Sequence, residues 1–188
     1  MNERKLYIMK HSSHNNNNLL FTGKCVVFVD AANLANSAKK FGKTVDYKKF
    51  AQYFHSCNQA TSLRYYGPTF HAKKQQGFFG MLDKIGFTII TKPIKVIRDQ
   101  KSHHDIHKAN FDVELAVDAV ILLKYFDVFI LFSGDSDFVY LCQYLKRHKK
   151  TIVIFSTRYR IAKELIDVAD QFIDIKEYAE EFLRIYPF

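Results

Sequence analysis

Four aspartates are the residues of this sequence best placed to do chemistry. Asp135 and Asp137 follow the apolar run Val128-Phe129-Ile130-Leu131-Phe132 through Ser133-Gly134. That run is too uniformly apolar for a half-exposed strand and reads as a buried one. Asp30 closes a second such run, Cys25-Val26-Val27-Phe28-Val29, and Asn33 follows it on the entering helix. In an open α/β sheet, ligands bind outside the carboxyl ends of the strands. Carboxylates gathered at one place raise each other's pKa unless a cation offsets them. Mg2+ and Mn2+ are the hard ions that favour such oxygen donors. The pattern therefore reads as an acidic site for Mg2+ or Mn2+.

The fourth acid comes from Asn110-Phe111-Asp112-Val113-Glu114-Leu115-Ala116-Val117-Asp118. At about 100° per residue, Asp112 and Asp118 stand roughly 120° apart on a helix. Asp112 shares the face of Ala116, Ala119 and Leu123, which should meet the sheet. It is the preferred ligand of this segment, and Asp118 is a weaker candidate that equally suits a backbone amide or a lysine. Each acid also has a plain structural reading. Asp112 and Asp137 fit helix N-caps, and Asp30 fits a turn that ends a strand. The joint placement of the acids favours a site.

Alternating strand and helix patterns must position these residues. Strands are expected at 24–29, 61–66, 87–90, 128–132, 151–155 and 172–175. Helices are expected at 31–41, from Asp46 through Phe54, at 71–85, from Asn110 or Asp112 to about Tyr125, and at 138–148, 160–169 and 176–184. Such alternation predicts a parallel sheet with helices on both faces. Residues 1–22, polar and rich in asparagine, read as a leader, and 23–188 as one domain. The segment 92–108 lacks periodicity and reads as a basic excursion on the binding face.

Composition narrows the partners. The 188 residues carry 28 Lys and Arg against 19 Asp and Glu, a formal net charge of +9 that favours polyanions. Lys39 and Lys40, with Lys92, Lys95, Arg98, Lys101 and Lys108, are the candidate phosphate contacts. His103, His104 and His107 read as part of that basic loop rather than as a zinc site. The 18 Phe and 11 Tyr are assigned mainly to the core. Three cysteines without CxxC spacing argue for a reducing compartment. No apolar run is long enough to span a bilayer, and no secretory signal is visible. The expectation is a cytoplasmic protein without a membrane partner. No dinucleotide glycine turn, P-loop or GxSxG elbow is present, and Ser133 has no evident base. The aromatic segment Phe182 to Phe188 can pack against a second copy, as in a homodimer, or against its own domain.

Three stretches together carry a resemblance. Val-Phe-Val-Asp-Ala-Ala-Asn-Leu from Val27, Asn-Phe-Asp-Val-Glu-Leu-Ala-Val-Asp from Asn110 and Leu-Phe-Ser-Gly-Asp-Ser-Asp-Phe from Leu131 resemble the NYN domain, in its LabA-like branch. That family sits in the PIN-like nuclease superfamily. Ala31-Ala32 depart from it, because members often carry Gly before the Asn. The resemblance implies a three-layer α/β/α sandwich with a mainly parallel central sheet. It implies an acidic pocket that binds Mg2+ or Mn2+ and hydrolyses RNA. By motif, the ligands and catalytic residues are Asp30, Asp112, Asp135 and Asp137, supported by Asn33, Asp118 and Ser133. The expected function is a metal-dependent ribonuclease acting on single-stranded or looped RNA. The rival readings are a non-catalytic RNA-binding or regulatory module and, less well matched, phosphotransfer chemistry.

Overall fold

Two uniformly apolar runs make the two innermost strands, which are buried over almost their whole length. In this computed structural model, residues 23–56, 60–70, 73–98 and 105–185 are described. Strand β1 (Cys25–Asp30) leads into helix α1 (Ala31–Lys39), then β2 (Lys43–Val45) and α2 (Tyr47–Ser56). Next come β3 (Ala60–Tyr66), α3 (Lys73–Lys84) and β4 (Phe87–Ile90). A ribbon of β5 (Lys95–Arg98) and β6 (Asp105–Lys108) precedes α4 (Asp112–Ile121). The chain continues through β7 (Val128–Phe132), α5 (Val139–Arg147), β8 (Thr151–Ser156) and α6 (Lys163–Val168). It then forms β9 (Gln171–Asp174), α7 (Ala179–Phe182) and β10 (Leu183–Ile185).

The central sheet has six strands in the order β4-β3-β1-β7-β8-β9, and every pairing in it is parallel. From β1 the chain builds outward to β3 and β4. It then returns to the other side of β1 with β7 and builds outward to β8 and β9. The reversal at β1 and β7 opens a crevice beyond their carboxyl ends, where ligands collect in doubly wound sheets. Parallel pairing aligns Val29 with Phe132, so Asp30 and Ser133 leave the sheet side by side.

Side chains alternate across the sheet and make two cores. One face carries Val27, Val29, Ile130 and Phe132 against α1, α2, α3 and α7. The other carries Val26, Phe28, Phe129 and Leu131 against α4, α5 and α6. The expected three-layer α/β/α sandwich is what forms. Nine of the 18 phenylalanines are less than 2 % exposed, which assigns half of them to the core. Phe132 stacks on Phe155 with centroids 4.5 Å apart, and Phe50 meets Phe132 at 4.9 Å. Each such pair contributes about 0.5–1.5 kcal/mol beyond burial of its area.

Several boundaries differ from expectation. Within the segment 92–108, the described residues Lys95–Arg98 and Asp105–Lys108 pair as an antiparallel ribbon, where an irregular excursion was expected. The helix expected over 160–169 is only Lys163–Val168, because Arg160 and Ile161 both donate backbone bonds to the Thr157 carbonyl in a turn. The last expected helix divides into a 3-10 turn at Ile175–Tyr178, then α7 and β10. β10 pairs antiparallel with β2, a second ribbon. Phe182 and Leu183 are buried in this domain's own core. Among the described residues, no helix is long and apolar enough to cross a membrane.

Candidate metal centre

Each acid reaches the crevice by a separate local device. Asp30 ends β1 and caps α1, its Oδ1 accepting from the Asn33 backbone amide at 3.1 Å. Its Oδ2 accepts from the Ser133 hydroxyl at 3.1 Å. Both Asp30 oxygens are therefore engaged inside the protein. Asn33 supplies a further tie, since its Oδ1 accepts from the Gly134 amide at 3.2 Å.

The second device is the turn after β7. The Ser133 Oγ accepts from the Asp135 amide at 3.3 Å, and Asp135 Oδ1 accepts from the Asp137 amide at 3.1 Å. Asp135, not Asp137, caps the 3-10 turn Ser136–Phe138 that enters α5. The cap expected of Asp137 is thus made two residues earlier, and Asp137 itself is left exposed. Phe138 is buried and anchors the turn in the core. Gly134 is required here by close approach. A Cβ would stand 2.5 Å from the Arg160 carbonyl oxygen and 2.6 Å from Ser156 Oγ.

The third device is the start of α4. Phe111 stands at the N-cap of α4, and Asn110 Oδ1 accepts from the Asp112 amide at 2.8 Å, so the Asp112 side chain does not cap the helix. The Asp112 carboxylate is left to meet the turn after β7. Asp112, Asp135 and Asp137 each offer an oxygen, and these oxygens all lie within 4.8 Å of one another. Asp30 stands beside this trio rather than within it.

Electrostatics mark the crevice as crowded with like charge. Burial, above all, raises the Asp30 pKa; the Asn33 amide and Ser133 hydroxyl oppose that rise, and Asp112 and Asp135 add to it. Burial likewise leads in raising Asp112, opposed by Asn110 and reinforced by the charges of Asp135 and Asp137. Among the described residues, no lysine, arginine or histidine forms an ion pair with any of these four acids. The trio is all oxygen, without Cys or His, and suits a hard divalent ion such as Mg2+ or Mn2+.

The other expected residues fall elsewhere. Asp118 faces away from the trio. Its Oδ2 accepts from Arg64 Nη2 at 2.7 Å and from the Tyr66 hydroxyl at 2.9 Å. Lys92 pairs with Glu114 at 2.6 Å and lies 4.8 Å from the Phe111 ring centre. Lys39 ends α1, and Lys40 follows it with its Nζ 5.9 Å from the Tyr159 ring centre. Lys95 and Arg98 lie in β5 and Lys108 in β6, with His107, while Lys101, His103 and His104 fall outside the described residues.

One part of the crevice was not anticipated. The loop from β8 to α6 brings Tyr159, Arg160, Ile161 and Ala162 against Asn33, Gly134, Asp135 and Ser136 around an open depression of about 400 Å³. The sequence signal was present in Arg158-Tyr159-Arg160, an aromatic between two arginines directly after a buried strand.

A doubly wound parallel sheet with clustered acids at its switch point defines an α/β domain of the PIN-like kind. The family model of the NYN domain matches residues 24–176, and the chain belongs to that family, within the PIN-like nuclease superfamily. It is 29% identical over 171 residues to the Low amplitude and bright protein LabA of Synechococcus elongatus, covering 88% of this chain and 92% of that protein. A crystal structure of a protein of unknown function from Vibrio parahaemolyticus superposes with a TM-score of 0.72 at 25% identity. That match covers 91% of this chain and 100% of the other.

Proposed function

We propose that this protein is a Mg2+- or Mn2+-dependent ribonuclease acting on single-stranded or looped RNA in the cytoplasm. The observation that carries this reading is the approach of Asp112, Asp135 and Asp137 to within 4.8 Å of one another at the carboxyl edge of the sheet. These three would hold the ion. Bound there, it would supply charge neutralisation and Lewis acidity at the scissile phosphate.

The protein's own residues do the rest. Asp30, fixed by Asn33 and Ser133, closes the wall of the crevice and keeps the two strand ends in register. The Gly134 turn sets Asp135 and Asp137 at the mouth. Water adds to phosphorus and gives up a proton, the bond to the leaving oxygen breaks, and that oxygen takes up a proton, so that water is consumed and the diester yields a monoester and a hydroxyl. An acidic crevice beyond the strand ends admits a flexible strand more readily than a duplex. Lys39, Lys40, Lys95, Arg98, Lys101 and Lys108 are the candidate contacts to flanking phosphates. Lys92 contributes less, since Glu114 already neutralises it.

The test is incubation of the full chain with single-stranded and structured RNAs and with DNAs, in Mn2+, Mg2+ or EDTA. Cleavage of RNA in Mn2+ or Mg2+, abolished by EDTA and by Asp112→Asn with Asp135→Asn, is the expected result. Equal cleavage by the folded double variant overturns the assignment. Salt-sensitive RNA binding without cleavage in any metal would replace it with the binding-module reading.

A further inference from the structure

Tyr159 is 86% exposed, the most exposed large apolar side chain among the described residues. It sits at the edge of the depression that also holds Asp135. An exposed aromatic ring is not needed for packing, and this one stands on a fixed support. The Arg160 and Ile161 amides both donate to the Thr157 carbonyl, at 2.9 and 3.1 Å. The Ala162 amide donates to the Gly134 carbonyl at 2.9 Å, tying the loop to the acidic turn.

Positive charge is distributed unevenly around this ring. Arg158 is drawn to Asp174 at 3.4 Å and Glu177 at 3.7 Å. Arg160 has no acidic partner among the described residues and lines the depression. Lys40 approaches one face of the Tyr159 ring and has no ion pair among the described residues. An exposed ring with Lys40 over one face and the unpaired Arg160 next to it in the chain, beside an acidic crevice, matches the needs of an unpaired nucleotide. Bases stack on rings, and flanking phosphates need cations to come near carboxylates.

We propose that Tyr159 is a stacking platform for one unpaired base of a single-stranded nucleic acid, with Lys40 and Arg160 on the adjoining phosphates. The inference rests on reading the acidic crevice as a nucleic-acid site. It adds the entry side of the strand, over the loop between β8 and α6. The stacked group is the base, so single-stranded RNA and single-stranded DNA should both respond.

The experiment measures anisotropy of labelled oligonucleotides bound to the full chain in EDTA, so that no cutting intervenes. Single-stranded RNA, single-stranded DNA, duplexes and strands with one abasic position are compared. Tyr159→Ala should weaken single-strand binding about 5- to 100-fold, while Tyr159→Phe stays close to the parent. Duplex binding should not change. An abasic position at the stacked nucleotide should weaken the parent but leave Tyr159→Ala unaffected. Arg160→Ala should weaken binding and flatten its salt dependence. Thermal melting should be unchanged in all three variants, as their side chains are exposed.

Single-strand binding by Tyr159→Ala within twofold of the parent overturns the proposal. So does an equal loss in Tyr159→Phe, or an effect confined to RNA, which would place the contact on the ribose. Cleavage in Mn2+ separates the two readings. If the parent binds through Tyr159 but never cuts, the platform stands and the nuclease reading falls. If the parent cuts and Tyr159→Ala binds and cuts equally well, the nuclease stands and the platform falls. If the parent neither binds an oligonucleotide nor cuts one in Mn2+, both fall.

Discussion

The Ser133 hydroxyl donates to Asp30 Oδ2 at 3.1 Å, linking two strand ends whose residues are 103 apart in sequence. The same Oγ accepts from the Asp135 amide, so one fully buried hydroxyl aligns the end of β1 with the acidic turn after β7. In the proposed mechanism Ser133 is therefore a positioning residue.

Ser133→Ala removes this link and leaves the Asp135 amide and Asp30 Oδ2 each one partner short. A loss of about 1–2 kcal/mol of stability is expected by denaturant melting. The Mn2+-dependent rate should fall as well. Ser133→Thr retains the hydroxyl and should recover more of the rate than of the stability, because its extra methyl must fit a closed space. Equal rates for parent and Ser133→Ala would remove the positioning role.

Neutralising one crevice acid should stabilise the metal-free protein. The folded-state pKa values of Asp30 and Asp112 are raised. A raised carboxyl favours folding below its unfolded value, near 3.9, and that stabilisation is lost as pH rises through the folded value. At neutral pH both groups therefore work against the fold. Asp112→Asn should melt a few degrees higher than the parent in EDTA at pH 7, with the difference shrinking toward pH 4. Mn2+ should raise the melting temperature of the parent more than that of the variant. A variant that melts lower in EDTA at pH 7 would contradict the repulsion.

Asp118 has a different expected signature. It joins Arg64 and Tyr66, with side-chain exposures of 16% for Arg64 and 23% for Asp118 that limit screening by water. Asp118→Ala should cost about 1–3 kcal/mol of stability. The rate per folded molecule should be unchanged, as checked by activity normalised to active-site titration at low temperature. A selective loss of rate would return Asp118 to the site.

Gly134→Ala tests the tightness of the turn. The added methyl would strike the Arg160 carbonyl at 2.5 Å, a backbone atom that cannot rotate away. A loss of about 1–3 kcal/mol is expected, with displacement of the loop bearing Tyr159. The prediction is a joint fall in melting temperature and oligonucleotide affinity. Ala tolerated at both measures would mean that the loop moves freely.

Legibility in the sequence followed physical locality. The runs at Val26 to Val29 and Val128 to Phe132 are apolar on both faces, and that composition alone marks central strands of a covered sheet. The helical angle between Asp112 and Asp118 separated their two environments, although Arg64 and Tyr66 could not be foreseen as partners across 54 and 52 residues. Asp30 was legible as an acid at a strand end. Its two internal hydrogen bonds were not, since one depends on a residue across the sheet. The β2 and β10 ribbon escaped because three-residue strands carry too short an alternation to read. Tyr159 escaped because a loop has no periodicity, and only the fold sets it beside Asp135.

The pairing of β1 with β7 has a consequence for synthesis. A nascent chain that has reached the end of β6 already carries Asp30, but the strand that completes the crevice has not yet been made. Contacts of such wide sequence separation form slowly, since a long loop must close first. The acids are therefore assembled late, after most of the chain has left the ribosome. Until then the open edge of β1 presents an unpaired apolar strand, the point at which a partly made chain is most exposed to aggregation.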